Sequence, residues 1–468
     1  MSTTYDVRQT FADDMFLRRH RGLGSPVVNQ FVWRFATPLP LDAVERFASA
    51  LAHGSLGRRA APARLPGARG RWYGDATVPA IAHRDEPLAE DDVRAWADRV
   101  ASVDLDPASG PAWRLATAPT DAGGTLMSLV VAHAAADGAA MVDAIVRAAS
   151  QAAPLSLPVP LQDAGVSWAA PGGSGTDRGV ARRVIGGLRG VVPDLRDAAG
   201  QGREVAGWVA DRVRAAVRSV GEEPPATAQP RAPRALPADV ETWQPSWAVV
   251  ELDAPAAEQM AADHGGTVNT WFVALAAGLV RRTGRFDGES VPVALPVSTR
   301  EPEDLRGNTT RIARVQVEPT SARGRRLDGV RVACREAFAA LGEAREPLPL
   351  ALVQMMPDSV VRRLPAPPAA AALASNVGAL PDAFAMIGGV RAEAVFAVAH
   401  QQGLDVAEAA ASGGGLVLFL VRTGDRLALT VVACDPFAIR DRAVLADLVS
   451  AEASTWESAG HDLGLRVW

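Results

Sequence analysis

The pattern of apolar and polar positions predicts a mixture of strands and helices in the first part of the chain. Apolar residues alternate with polar ones over residues 28–35, which is the period of a strand with one apolar face. Residues 126–132 are almost all apolar and predict a strand that is buried on both faces. Apolar residues at helical spacing predict a helix over 41–51 and another from about 137 to 150.

The second half of the chain repeats this mixture. Helices are predicted over 267–282, 327–341 and 440–458. Strands are predicted over 247–252, 291–297, 312–317, 394–399, 416–421 and 427–433. Because 468 residues exceed one ordinary core, we expect two lobes of α/β (α+β) structure with mixed sheets and helices.

A change in composition separates the two lobes. Glycine, proline, serine and arginine become frequent from about 155 to 244, and residues 223–237 predict an exposed proline-rich linker. Before the linker, an amphipathic helix is predicted from the spacing of Val205, Val209, Val213 and Val217. We interpret it as a lobe-packing or lid helix; the alternative is peripheral contact with a membrane. The expected divisions are an N-terminal lobe at 1–160, a crossover helix and linker at 161–245, and a C-terminal lobe at 246–468.

The composition excludes several classes of function. All 48 basic residues are arginine, so neither a Schiff-base lysine nor a phosphate-loop lysine is present. The net charge of -5 gives no indication of a nucleic-acid partner. The two cysteines, Cys334 and Cys434, form no Cys-x-x-Cys pair, and we expect no metal site. Without a long apolar run or a signal peptide, the expectation is a cytoplasmic protein.

Residues 133–138, His-Ala-Ala-Ala-Asp-Gly, are the strongest candidate for chemistry. His133 ends the predicted buried strand, and an imidazole suits proton transfer near neutral pH. The three alanines are expected to leave room for a substrate beside the ring, and Gly138 to permit a turn that other residues resist. The alternative is a core histidine bonded to a backbone carbonyl, with Asp137 as the cap of the next helix.

This segment resembles the His-His-x-x-x-Asp-Gly signature of the superfamily of condensation domains and chloramphenicol acetyltransferases. Other segments are similar, in the same order, to those of bacterial wax-ester-synthase/diacylglycerol-acyltransferase-like proteins. They are 110–115 (Gly-Pro-Ala-Trp-Arg-Leu), 266–269 (Gly-Thr-Val-Asn), 296–300 (Pro-Val-Ser-Thr-Arg), 307–308 (Gly-Asn) and 375–378 (Ser-Asn-Val-Gly). The resemblance extends from about 14 to 450. It departs at Ala132, where the family has its first histidine, and the Asp-Phe-Gly-Trp-Gly signature of some relatives is missing.

The resemblance implies two chloramphenicol-acetyltransferase-like lobes, with a tunnel between them and His133 at its middle. It implies an acyltransferase without a permanently bound cofactor. The donor would be acyl-CoA or the phosphopantetheine thioester of an acyl carrier protein, and the acceptor a small-molecule hydroxyl or amine. His133 matches the histidine that transfers the proton. Asp137 would turn away from it and pair with an arginine, for which Arg300 is the candidate.

Three further residues are candidates for contact with the substrate or the tunnel. They are Ser375, as a donor to the oxyanion, its neighbour Asn376, and His400 at the end of a predicted strand. We expect a monomer that acts in lipid or specialised-metabolite biosynthesis. The alternatives are a non-transferring member of the fold, acting as a binding or docking module or a cyclase, and a thioester hydrolase.

Overall fold

The computed structural model describes most of the chain. The described residues are 7–153, 179–218, 236, 240, 243–286, 288–319, 326–342, 349–364, 370–457 and 463–467. The predicted proline-rich linker, 223–237, lies outside them except for Leu236. Strands and helices are numbered below in chain order.

The first sheet forms the core of the N-terminal lobe. Its strands are β2 (Val27–Phe35), β5 (Ala82–His83), β6 (Trp113–Pro119), β7 (Thr125–Ala132) and β14 (Ala394–Gln401). Their order is β14-β2-β7-β6-β5, and every residue of β7 is buried, as its apolar run predicts. The helices α2 (Leu41–His53) and α4 (Gly138–Ala152) cover one face, and α3 (Val93–Ala101) covers the other.

The second sheet forms the core of the C-terminal lobe. Its strands are β8 (Ser246–Asp253), β9 (Val291–Ser298), β10 (Thr310–Val317), β11 (Ala372–Ala379), β15 (Leu416–Thr423), β16 (Arg426–Ala433) and β17 (Arg466–Val467). Their order is β10-β9-β11-β15-β16-β8-β17. The helices packed in this lobe are α6 (Ala254–Asp263), α7 (Val268–Arg282), α8 (Asp328–Ala339) and α12 (Arg442–Ala453). The apolar helix α7 places Trp271 and Phe272 fully inside the core.

The strand β14 comes from the second half of the chain but belongs to the first sheet. It pairs antiparallel with β2, so that His400 lies opposite Val28. The predicted C-terminal lobe, 246–468, is therefore not self-contained, because it supplies an edge strand to the other lobe. Apolar alternation predicts that 394–399 is a strand, but it carries no information on which sheet the strand joins.

The strands β9 and β11 separate towards their carboxyl ends. They pair in parallel only where Ala372 and Leu373 lie opposite Val293 and Ala294. Beyond this point β11 continues beside β15 alone, with a bulge after Asn376. The predicted site segment 307–308 lies in the loop after β9, and the segment 375–378 lies at the end of β11. Because the two strands separate, these two segments lie apart.

Smaller elements complete the fold, and none of them was predicted. A three-stranded sheet consists of β1 (Val7–Arg8), β3 (Arg58–Ala61) and β4 (Arg71–Gly74), and a two-stranded sheet consists of β12 (Met386–Ile387) and β13 (Val390–Arg391). The short helices are α1 (Phe11–Arg19), α9 (Leu350–Met355), α10 (Asp358–Val361) and α11 (Val406–Ala411).

The crossover helix α5 (Gly179–Arg218) is longer than the helix predicted from its valine spacing. It contacts the N-terminal lobe through acidic side chains. Asp194 is fully buried and lies 2.7 Å from Arg8, and Asp197 lies 2.7 Å from Arg69. These ion pairs agree with the interpretation of a lobe-packing helix. Among the helices of the described residues, none has both the length and the apolar character needed to cross a bilayer.

Candidate active site

His133 lies directly after β7, at the point where the chain leaves the first sheet. Its backbone N–H donates to the carbonyl of Val27 (2.9 Å), so the strand geometry continues up to this residue. The next three residues, Ala134, Ala135 and Ala136, are fully buried in the core of the N-terminal lobe. Their small size serves packing in this core, and room for a substrate beside the ring stays a prediction.

The imidazole of His133 has two side-chain neighbours that orient it. The ring of Phe16, from α1, stacks on it with centroids 4.0 Å apart and planes 18° from parallel. Asn308 Oδ1 lies 3.0 Å from His133 Nδ1. Burial lowers the pKa of His133, and this effect outweighs its hydrogen bonds and its attraction to Asp137, which raise the pKa. The residue keeps some solvent exposure, and its lowered pKa favours the neutral ring.

Asp137 is a buried carboxylate that accepts hydrogen bonds from four donors. Its Oδ1 caps α4 by accepting from the N–H of Ala140 (2.8 Å), and it also accepts from Arg300 Nη2 (3.2 Å). Its Oδ2 accepts from the N–H of Thr309 (2.9 Å) and the hydroxyl of Thr310 (3.1 Å). The imidazole is not among these partners. Asp137 therefore shapes the loop and does not relay a proton from His133.

Arg300 stabilises the loop that follows β9 by hydrogen bonds to three backbone carbonyls of that loop. Its Nη1 donates to the carbonyls of Asp304 (2.8 Å) and Arg306 (3.0 Å), and its Nη2 donates to the carbonyl of Gly307 (3.1 Å). The side chain is 12% exposed, and that of Asp137 is 3% exposed. Arg300 is therefore the partner of Asp137 in a largely buried ion pair, and it is not a solvated surface arginine.

The glycine that the site requires is Gly307, and not Gly138. Gly138 is the first residue of α4, and a Cβ atom there would meet nothing within 4 Å, so the expected turn requirement is wrong. A Cβ atom at Gly307 would lie 2.8 Å from Asp13 Oδ1 and 2.9 Å from the carbonyl oxygen of Ala135. Only glycine lets this loop approach the His133 loop so closely.

Asn308 and Asp13 are site residues whose roles the sequence did not indicate. Asn308 Nδ2 donates to Asp13 Oδ1 (2.8 Å), to the carbonyl of His133 (2.9 Å) and to that of Ala134 (3.2 Å). Asp13 lies on α1, which begins with a capping box between Thr10 and Asp13. The Thr-x-x-Asp spacing at 10–13 was the available signal for this helix.

The sequence matches no protein-family model and no curated protein. Solved structures are nevertheless similar to nearly the whole chain. The first condensation domain of the CDA synthetase superposes with a TM-score of 0.56 at 16% identity, covering 99% of this chain and 99% of that one. The condensation domain from the monacolin K polyketide synthase gives 0.55 at 14% identity, covering 97% of each chain. Polyketide synthase associated protein 5 from Mycobacterium tuberculosis gives 0.53 at 13% identity, covering 98% of this chain and 100% of that one.

The chain has the condensation-domain fold. The expected two-lobed α/β architecture is confirmed, because the similarity covers both sheets and the strand that crosses between them. The same fold explains why His133, at the end of a strand of one lobe, meets Asn308 from the other lobe.

In this condensation-domain fold, Ser375 and Asn376 lie on β11 of the C-terminal lobe. Asn376 is exposed, and its Nδ2 donates to Asn269 Oδ1 (3.0 Å) while its Oδ1 accepts from the N–H of Gly378 (2.9 Å). Ser375 is half-buried opposite Phe419 of β15. These contacts are separate from the network around His133, so a role in binding substrate remains a prediction for both residues.

His400 lies on the other face of the first sheet, among polar groups of the core. Its Nε2 is 2.7 Å from Gln30 Oε1, and its ring lies edge-on to Trp247 at 6.2 Å between centroids. Gln30 Nε2 donates to the carbonyl of Ala97 (3.0 Å) and the hydroxyl of Ser128 (2.8 Å). The Gln30 oxygen therefore accepts from His400 Nε2–H. Burial lowers the pKa of His400 to about 4.

A cavity of about 420 Å³ lies at the start of α1. Its walls come from the N-terminal lobe, the crossover helix α5 and the C-terminal lobe. They include Arg8, Thr10, Phe11, Arg69, Gln201 and Arg306. His133 is not part of these walls. The cavity therefore adjoins the helix that carries Phe16 and Asp13, and it is separate from the imidazole.

Proposed function

We propose that this chain is an acyltransferase that moves an acyl group from a thioester to a hydroxyl or amine, with His133 as general base. One observation carries the proposal: an imidazole stands at the end of β7, with its Nδ1 3.0 Å from Asn308 Oδ1 and its pKa lowered by burial. A neutral and oriented imidazole with some solvent access is suited to proton transfer near pH 7.

The proposed reaction proceeds without an acyl-enzyme. The acceptor oxygen or nitrogen bonds to the thioester carbonyl carbon and gives its proton to His133. The tetrahedral intermediate then breaks its carbon–sulfur bond, and His133 returns the proton to the leaving thiolate. Ser375 is proposed as the donor to the oxyanion of this intermediate. The protein supplies proton transfer and positioning, and needs no permanently bound cofactor.

Similar solved structures support the proposal that the substrate is a biosynthetic intermediate. One solved structure is the first condensation domain of the calcium-dependent antibiotic synthetase in complex with a substrate analogue, at 17% identity and a TM-score of 0.55. We therefore propose a role in natural-product biosynthesis. The proposed donor is an acyl carrier protein thioester or acyl-CoA, and the proposed acceptor is a fatty alcohol, a diacylglycerol or a specialised metabolite.

The replacement of the family's first histidine by Ala132 does not favour a non-transferring protein. Ala132 is fully buried, lies opposite Val28 in the sheet and packs in the core that α3 covers. The alanines that follow His133 pack in the other core, on the opposite face of the sheet. Ala132 is therefore a core position, and the replacement does not remove the proposed base, His133.

Thiol release from acyl donors tests the proposal. The donors are a series of acyl-CoA esters and the same acyl groups on carrier protein, each with and without alcohol and amine acceptors. The expected result is acceptor-dependent release by the wild type that His133→Ala abolishes. The matched control is His53→Ala, since His53 is an exposed histidine at the end of α2 and should leave the rate unchanged. Release without an acceptor would indicate a hydrolase, and no release from either donor class would refute transfer.

A further inference from the structure

We propose that Asn308 is a positioning residue whose side-chain amide fixes the proton of neutral His133 on Nδ1, which leaves Nε2 as the atom that accepts the proton of the substrate. The role of Nε2 as the proton acceptor rests on the proposed function. The proton position itself is a property of the folded protein and can be measured without any substrate.

The groups around Asn308 Nδ2 decide the orientation of the amide. Its three neighbours are Asp13 Oδ1 at 2.8 Å, the carbonyl oxygen of His133 at 2.9 Å and the carbonyl oxygen of Ala134 at 3.2 Å. All three are acceptors, so the nitrogen, which carries hydrogens, must face them. The reverse orientation would place the amide oxygen against three oxygens in a residue that is only 3% exposed.

The orientation of the amide then decides the tautomer of the imidazole. Asn308 Oδ1 lies 3.0 Å from His133 Nδ1, and an amide oxygen can only accept a hydrogen bond. Nδ1 must therefore carry the hydrogen. Because a neutral imidazole has a single N–H, Nε2 keeps a free lone pair.

Asp13 holds the Asn308 amide from its other side. Asp13 is fully buried, and its Oδ2 accepts from Trp72 Nε1 (2.9 Å) and from the N–H of Thr10 (2.9 Å). Burial raises the pKa of Asp13, while these donors, Asn308 and the charge of Arg58 favour the carboxylate. Since each hydrogen-bond partner is a donor, the ionised form fits the site. The carboxylate thus fixes the amide, and the amide fixes the ring.

This arrangement also suits the charged state of the ring during the reaction. When Nε2 takes the proton of the acceptor, both ring nitrogens carry hydrogen, and the Nδ1–H bond to Asn308 is kept. No side chain has to rotate before Nε2 returns the proton to the thiolate. Such preorganised partners contribute to catalysis because they do not reorganise during the reaction.

The test is ¹⁵N NMR of protein with ¹⁵N-labelled histidine, which distinguishes a protonated from an unprotonated ring nitrogen. The chain has 7 histidines, and the His133 signals are assigned by their loss in His133→Gln. The expected result at neutral pH is a proton on Nδ1 of His133. The same spectrum has an internal control, because His400 is expected to carry its proton on Nε2, bonded to Gln30 Oε1.

Asn308→Leu removes both the donor and the acceptor of the side chain at similar size. The expected result is that the proton of His133 moves in part to Nε2, while the His400 signals stay unchanged. The kcat/KM of transfer should fall by roughly several-fold, which is less than the loss of about 10²-fold or more expected when the general base is removed altogether, because part of the population keeps a free Nε2. Unchanged His400 signals show that the fold of the N-terminal lobe is intact.

Two outcomes overturn the proposal. The first is a wild-type spectrum with the His133 proton on Nε2, which requires no variant and is therefore independent of how well Asn308→Leu folds. The second is an Asn308→Leu protein with the wild-type tautomer and rate. A proton on Nδ1 in a protein that transfers no acyl group supports the positioning role and refutes the proposed function, so the two failures are distinguishable.

Discussion

Arg300 Nη2 lies 3.2 Å from Asp137 Oδ1, and this contact joins the loop after β9 to the loop that carries His133. The two loops belong to different lobes, so the ion pair is also a contact between lobes. Both side chains are largely buried. Arg300 Nη1 also donates to the carbonyls of Asp304 and Arg306, and Asp137 Oδ2 also accepts from the N–H of Thr309 and the hydroxyl of Thr310. The pair therefore helps to position Asn308, which belongs to the loop after β9 and donates to the carbonyls of His133 and Ala134.

Replacing Arg300 by leucine should destabilise the protein. The change leaves a buried carboxylate without its counter-ion and frees three backbone carbonyls, for which we expect a loss of about 3 kcal/mol in the free energy of unfolding. Chemical denaturation measures it. The matched control is Arg147→Leu, which removes an exposed ion pair with Asp143 on α4 and should cost less than about 0.5 kcal/mol. Equal effects of the two changes would contradict the assignment of Arg300 to a buried pair.

Two glycine substitutions should have opposite consequences. In Gly307→Ala the new methyl group meets backbone oxygens and Asp13, and we expect a loss of about 1–3 kcal/mol in stability together with a lower kcat. In Gly138→Ala the methyl group meets nothing at the start of a helix, and stability should change by less than about 1 kcal/mol. Thermal unfolding of both variants checks the pair. If Gly138→Ala were the more damaging, the close approach at Gly307 would not be the constraint.

The sequence predicted most strands of both sheets because their apolar runs are long and regular, but it did not predict β5, β6, β11 or β17. The strand β7 and the helix α7 are examples, with bounds predicted to within one residue. The motif order also led to His133, Asp137 and Arg300. Asn308 could not be given a role, because its partners Asp13 and His133 are 295 and 175 residues away in the chain. The assignment of β14 to the first sheet failed for the same reason, since pairing over long separations leaves no local pattern.

The pH dependence of kcat/KM should reflect the lowered pKa of His133. Burial lowers that pKa, Asp137 raises it and Arg19 lowers it, so the neutral base persists below the ordinary range of histidine. Activity should be full at neutral pH and fall only as the pH drops below about 6.5, the ordinary value. A steady-state profile of kcat/KM between about pH 4.5 and pH 8 measures it. An acid limb centred above about pH 7 would contradict the lowered pKa.

His400 should make the stability depend on pH. Its pKa falls from the ordinary value to about 4 in the folded protein, so the unfolded chain binds its proton first as the pH decreases. The contribution of His400 to the free energy of unfolding is present above about pH 6.5 and is lost between about pH 6.5 and about pH 4. Between about pH 7.5 and about pH 5 the expected loss is about 2 kcal/mol.

Denaturation of wild type and His400→Gln at the two pH values isolates this contribution. Glutamine can still donate to Gln30 but does not titrate, so the loss of stability on acidification should be smaller by about 2 kcal/mol in the variant. The control is His53→Gln, which makes the same substitution at an exposed histidine. Equal pH dependence in wild type and His400→Gln would show that His400 is not held neutral in the core.

The most direct test of the account compares acceptor-dependent thiol release by wild type and His133→Gln, with stability measured in parallel. Glutamine can still bond to Asn308 but cannot take a proton. The account predicts that the rate falls by about 10²-fold or more while the free energy of unfolding stays within about 1 kcal/mol of the wild-type value. A His133→Gln protein that transfers acyl groups at the wild-type rate would contradict the assignment of His133 as the general base.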